Sequence, residues 1–177
     1  LVGTLAGLVE YNGEEFKQYT KRDGLAENAV SAIGVHKNHI WLGHWAGSMT
    51  RIDASTNEFT AIDIRSQLNF SSILSIHPFG DSAVLIVTRG GSLFEYSTAG
   101  LVQIVIQTKK VDEAVLNVVF AGDKAYIVTQ QGIYASSDKG SLVNWEKVFE
   151  PQSPITYAFR IQESEWIISA SDHISSI

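Results

Sequence analysis

The sequence predicts an all-β fold, and three observations carry that prediction. Apolar residues arrive in short runs or in alternation, almost nowhere at the i, i+3, i+4, i+7 spacing of an amphipathic helix. The runs are separated by turns containing Gly, Asn or Asp, the residues that tolerate the positive φ of tight hairpins. The third observation is repetition. Leu1 to Thr4, Ile40 to His44, Val84 to Thr88, Tyr126 to Thr129 and Trp166 to Ala170 read as one equivalent strand, and four of the five are followed by a glycine turn, at Gly7, Gly47, Gly91 and Gly132. These glycines are 40, 44 and 41 residues apart. A period of ~42 residues suits a four-stranded β-propeller blade.

The order of strands within a unit is clearest from Asn28 to Ile64. Val30, Ile33 and Val35 mark an innermost strand, and a turn at Lys37 and Asn38 leads to a second strand ending at His44. A third strand spans Ser48 to Asp53, and a turn at Thr56 and Asn57 leads to a fourth at Glu58 to Ile64. The same order recurs twice more, giving blades over 28–65, 71–107 and 114–150, with partial blades at 1–22 and 154–177. Asp63 to Leu68 and Lys109 to Val115 are expected to form helical turns as connectors. The first unit lacks its innermost strand, whereas the last continues past one, so the about four blades are expected to form a single domain or a fragment of a larger propeller. A seven-bladed ring would need roughly 290 residues. Unpaired edges on such an arc predict contacts with a second copy or with the remaining blades.

Composition narrows the function. With 177 residues and 45% hydrophobic content the chain can bury a core. Its net charge of -6 and the lack of a long Lys/Arg run argue against a nucleic-acid partner. Having no cysteine, it has neither disulfides nor thiolate chemistry. No apolar run approaches the ~18 residues of a membrane span, so direct membrane insertion of this segment is not expected. The chain starts at Leu1 and not Met, as expected of a processed or excised piece. It carries no G-x-S-x-G elbow, P-loop or H-E-x-x-H, so neither a catalytic centre nor a cofactor is predicted.

The segment Gly7 to Asp53 resembles the two-component regulator propeller repeat. The resemblance rests on Gly7, Leu8, Tyr11, Asn12 and Gly13, on Phe16, Tyr19 and Thr20, on Asp23, Gly24, Leu25 and Asn28, on Val30 and Ile33, and on Ile40, Trp41, Leu42 and Gly43. His44 stands where threonine is usual, and later units keep the spacing but lose the D-G-L-x-x-N turn. The resemblance implies the periplasmic or cell-envelope part of a hybrid histidine kinase of Bacteroidetes, where tandem propellers perceive carbohydrate breakdown products. Related propellers serve envelope and secretion machinery and, more distantly, lyases. Three functions follow as expectations: a non-catalytic ligand sensor, a protein-interaction scaffold, and a lyase needing a converging His44, Arg89 and Asp172.

Candidate residues come from the loop after each second strand, because in a propeller these loops share the face over the central channel. They carry Leu5 and Ala6, then His44 and Trp45, Arg89, Gln130 and Gln131, and finally Asp172 and His173. Trp45 offers an apolar face to a sugar ring, and Arg89 either grips a carboxylate or phosphate or pairs with an acidic neighbour. Asp23, Gly24, Leu25 and Asn28 are expected to fix a turn and not to bind metal. Trp41, Trp145 and Trp166 are expected to pack between blades. His36 and His39 flank a hairpin without the spacing of a zinc site, and no metal is predicted.

Overall fold

A computed structural model of the chain describes residues 1–105, 113–121, 124–138, 141–162, 165–170 and 174–176. The period treats 1–177 as one array, whereas packing groups it into two compact units, Leu1–Gly90 with Phe94–Val102, and Gly91–Leu93 with Gln103–Ile177. Repeats touch chiefly their neighbours, so a division between successive repeats is physically natural.

The first unit holds three antiparallel meanders, except for Leu93, Gln103 and Ile104 at the ends of the third, which fall to the second unit. They are β1 (Val2–Thr4), β2 (Gly7–Tyr11) and β3 (Phe16–Tyr19); β4 (Val30–His36), β5 (His39–His44), β6 (Met49–Asp53) and β7 (Phe59–Ile62); and β8 (Ile73–Phe79), β9 (Ala83–Thr88), β10 (Leu93–Ser97) and β11 (Gly100–Ile104). The second unit holds β12 (Val115–Ala121), β13 (Lys124–Thr129), β14 (Gly132–Asp138) and β15 (Ser141–Phe149), then β16 (Ile155–Gln162), β17 (Glu165–Ala170) and β18 (Ile174–Ser176). The fourth strand of the second-blade sheet is shorter than the expected 58–64, and β15 starts four residues before Trp145.

The connectors are short. Residues 65–70 form successive turns, and the expected helical turn is closed by the Gln67 and Leu68 amides, both 3.1 Å from the Ile64 carbonyl. Asn69 and Phe70 then adopt left-handed φ of 51° and 55°, which ends any helical course. The connector expected at Lys109 to Val115 lies outside the described residues up to 112, and Val115 already belongs to β12. The Asp23 turn is a 3-10 turn over Lys21–Asp23. Asp23 Oδ2 accepts from the Thr20 amide at 2.8 Å and Asn28 Oδ1 from the Lys21 amide at 2.8 Å. Gly24 closes the turn at φ 111°, and Leu25 packs with Leu8, Val30, Leu42 and Ile52.

Inner strands of the first unit approach closely. A Cβ on Gly34 would lie 2.7 Å from the Ile76 carbonyl oxygen, so β4 and β8 can meet only without a side chain there. Ser31 Oγ donates to the Ile73 carbonyl at 2.8 Å across the same seam. Every residue of β9 is buried, which explains why Ala83 to Thr88 reads as a continuous apolar run instead of an alternation. Trp41 sits in this core edge-on to Tyr96, with ring centres 5.9 Å apart. In the second unit Trp166 packs edge-on to Tyr126 at 5.3 Å within the core of Val128, Ile133, Ile155 and Ile168. Trp145 lies in β15 and is partly buried.

A Gly34→Val substitution is expected to cost about 2 kcal/mol or more by forcing β4 from β8. Gly90→Ala, whose added carbon would meet nothing nearer than 3.4 Å, should change stability by about 0.5 kcal/mol at most. Urea unfolding of the two variants side by side measures both.

Candidate functional site

After two of the second strands, β1 and β13, the loop is held by the last residue of the strand. In β1 the holder is a threonine, whose Oγ1 donates to the Gly7 carbonyl at 2.8 Å and accepts from the Ala6 amide at 3.1 Å. Thr129 repeats the pattern at the end of β13, accepting from the Gln131 amide at 3.2 Å, with the Gly132 carbonyl 3.2 Å away. It also sits 2.5 Å from Glu113 Oε2, and its single proton goes to that nearer acceptor. Glu113 Oε1 takes a second bond, from the Tyr134 hydroxyl at 2.7 Å. Burial, then the neighbouring Glu113, pushes the Tyr134 phenol well above its ordinary range.

His44 occupies the threonine position of β5, but its ring bonds groups outside the turn. It has no exposed surface. Its Nδ1 lies 3.3 Å from the Ala29 carbonyl and its Nε2 2.8 Å from Thr50 Oγ1. A carbonyl can only accept, so Nδ1 carries the proton, and Thr50, which accepts from the Ala26 amide at 2.9 Å, donates to Nε2. Burial favours the neutral imidazole, and both of its nitrogens are used. His44, expected at the channel mouth, is buried there, its ring bonded to Ala29 and Thr50 beside the loop.

Glu27 supports the turn itself. Its carboxylate accepts from the Ala46 amide at 3.0 Å, from the Ser48 amide at 3.3 Å and from the Ser48 hydroxyl in a very short bond. The turn between β5 and β6 is thus bonded from beneath at its amides, while the Trp45 amide donates to Ala29 at 3.2 Å. Nothing in the strand pattern singles out Glu27. A weak signal exists, since Glu27 and Glu113 precede the ends of their second strands, His44 and Thr129, by 17 and 16 residues.

On this base Trp45 presents its indole with 45% of the residue exposed. The Arg89 guanidinium stands over that ring, 5.0 Å from its centre, and the Arg89 amide is fixed to the Ser72 carbonyl at 2.8 Å. Among the described residues Arg89 has no carboxylate partner, so its outward edge remains available. Phe70, unanticipated from sequence, is 66% exposed on the connector whose Ser71 and Ser72 bind Gly90 and Arg89. Leu5 is exposed on its own loop.

Trp45 and Arg89 are therefore brought together and His44 is set beneath them. Gln130 and Gln131 belong to the second unit, where they line a shallow hollow of about 220 Å³ with Lys147, Glu150 and Pro151. Asp172 and His173 lie outside the described residues. His36 and His39 face each other across the β4–β5 turn. Among the described residues no three His, Asp or Glu side chains are grouped to hold a metal ion, and no helix is long and apolar enough to cross a membrane.

No family model matches the chain, and no curated protein does. Solved structures do. The chain is similar to the extracellular domain of the putative hybrid two component system BT4673 from B. thetaiotaomicron, at TM-score 0.69 and 20% identity, over 98% of this chain and 25% of that one. It is also similar to BamB from Moraxella catarrhalis, at TM-score 0.61 and 15% identity, over 99% of this chain and 53% of that one. A third likeness is to the β-propeller domain of Myceliophteria thermophila Cps50 (Swd1), at TM-score 0.59 and 11% identity, over 85% and 52% of the two chains. The chain spans a quarter of the BT4673 domain and about half of the other two. These likenesses and the successive antiparallel meanders establish a β-propeller fold.

Burial lowers the His44 pKa below the ordinary 6.5, and burial shifts His77 in the same direction. The unfolded chain takes up protons as pH falls through 6.5, while the folded chain resists them until a lower pH. The stability these two residues contribute is thus complete above that value and declines below it. Unfolding free energies measured between pH 8 and pH 5 should show the decline, and His44→Asn should make it shallower. His44→Ala should cost about 2–4 kcal/mol at neutral pH, through the cavity and the unsatisfied Thr50 and Ala29 groups.

Proposed function

We propose that the chain is a ligand-recognising propeller segment of an extracytoplasmic receptor of the two-component type, which binds its ligand and does not transform it. The observation that carries this reading is the half-exposed Trp45 indole, capped by Arg89 on a turn braced from below by Glu27. A rigid aromatic face beside a cationic fork suits a saccharide, since the indole stacks on the ring's C–H face and the guanidinium grips hydroxyl or anionic groups. Preorganisation matters because a loop already fixed loses little freedom on binding. The likeness to the extracellular domain of BT4673 supports a receptor setting, periplasmic or at the cell envelope. Ligand occupancy then reaches an attached signalling module through the assembly of the propeller with further blades or a second copy.

Calorimetric titration of the chain with a panel of neutral and acidic oligosaccharides tests this. Binding to at least one member is expected, with Trp45→Ala and Arg89→Ala each weakening it by about tenfold or more. No binding across the panel, or binding indifferent to both substitutions, would favour a protein-interaction scaffold instead.

A further inference from the structure

A second cleft lies in the first unit, where the β4–β5 turn and the β8–β9 turn come together. It measures about 360 Å³ and is lined by His36, His39, Trp41, Arg51 and Tyr96, with Lys37 and Asp81 at its edge. The Lys37 ammonium and the Asp81 carboxylate, 2.9 Å apart, join the two turns by an exposed ion pair. Nothing in the period or in the repeat resemblance points to this place, because its residues come from four strands and two turns.

Two features distinguish the cleft from a packing gap. Trp41 Nε1 and His36 Nε2 are buried without a hydrogen-bond partner among the described residues. Leaving such groups unsatisfied in the interior is costly, so an orphaned indole N–H and an orphaned imidazole nitrogen beside one cleft are unusual. The second feature is the bias of the lining toward donors. An indole N–H, the Tyr96 hydroxyl and the Arg51 guanidinium can all donate, and two imidazoles add further capacity. The Asp81 carboxylate is already held by Lys37, and among the described residues Arg51 has no acidic partner. In a chain with net charge -6, the lining sets two cations against one carboxylate. The walls are aromatic: Trp41 stands edge-on to Tyr96 at 5.9 Å and 6.4 Å from the His39 ring.

We propose that this cleft binds a small ligand carrying a carboxylate on a six-membered ring. Arg51 receives the carboxylate, Trp41 Nε1 and His36 Nε2 are the groups left to bond its oxygens or those of the ring, and the ring lies against Tyr96. A volume of about 360 Å³ accommodates one such ring and not an extended oligomer. The site is separate from the Trp45 and Arg89 platform and stands or falls independently of it.

Indole N–H resonances of the 177-residue chain, which has four tryptophans, provide the direct readout. The Trp41 signal is assigned by its disappearance in Trp41→Phe, a change that keeps an aromatic wall. Glucuronate and benzoate are titrated against glucose as the neutral control. The Trp41 signal is expected to move with at least one of the two acids and not with glucose. A response to glucuronate alone identifies the ring as a sugar, and a response to benzoate alone as an aromatic acid. Arg51→Gln, checked for folding by circular dichroism, should weaken binding by about tenfold or more. A Trp41 signal that neither acid moves, or that glucose moves equally, or an affinity unchanged in Arg51→Gln, would overturn the assignment.

Discussion

The organisation of the loop face depends on one constraint: the turn after a second strand needs polar side chains to bond the groups its ladder leaves free, as Thr4, Glu27 and Thr129 do. A tight turn leaves amides and carbonyls without ladder partners, and inside a packed array water cannot supply them. Thr4 and Thr129 meet that demand with one hydroxyl. In the β5–β6 turn Glu27 meets it, accepting from the Ala46 and Ser48 amides, while the His44 ring ties Ala29 to Thr50 beside that turn. A buried polar cluster of this kind is stabilising only when complete, which is why its members are tied to one geometry. The consequence for function is that Trp45 rests on a fixed base and can offer its indole to solvent.

The same economy governs the seam between blades. Flat β-sheet faces pack well only where side chains interdigitate, and at the inner strands there is room for a hydrogen atom and no more. Gly34 against Ile76 and Ser31 bonded to the Ile73 carbonyl are two expressions of that tightness. Farther out the sheets splay, and large side chains such as Trp41 and Tyr96 fill the widening wedge. At the ends of the strands the wedge is not filled, and the cleft beside His36 and Arg51 opens there.

Much of the fold was legible in the sequence because its signals are local. Glycines at a steady period, turn residues between apolar runs and the switch from alternation to continuous burial at Ala83 to Thr88 each report on a few neighbouring residues. The site was legible only in part. Trp45 and Arg89 could be placed on one face by counting loops, and the structure sets them 5.0 Å apart. His44 misled because its environment is built from Ala29 and Thr50, partners that become visible only when the sheet is assembled. Glu27 escaped notice because a lone carboxylate in a connector has no distinguishing pattern. The cleft was illegible for the same reason: Lys37 and Asp81 are 44 residues apart, and their pairing is a property of packed blades.

Amide hydrogen exchange at the β5–β6 turn probes the central claim, that this loop is rigidly held for binding. The Ala46 and Ser48 amides, both bonded to Glu27, should exchange far more slowly than an open loop, and Glu27→Ala should release them while β5 stays protected. Exchange at the rate of an unstructured peptide in the unmodified chain would contradict the account, leaving Trp45 as a mobile surface residue and not a prepared platform.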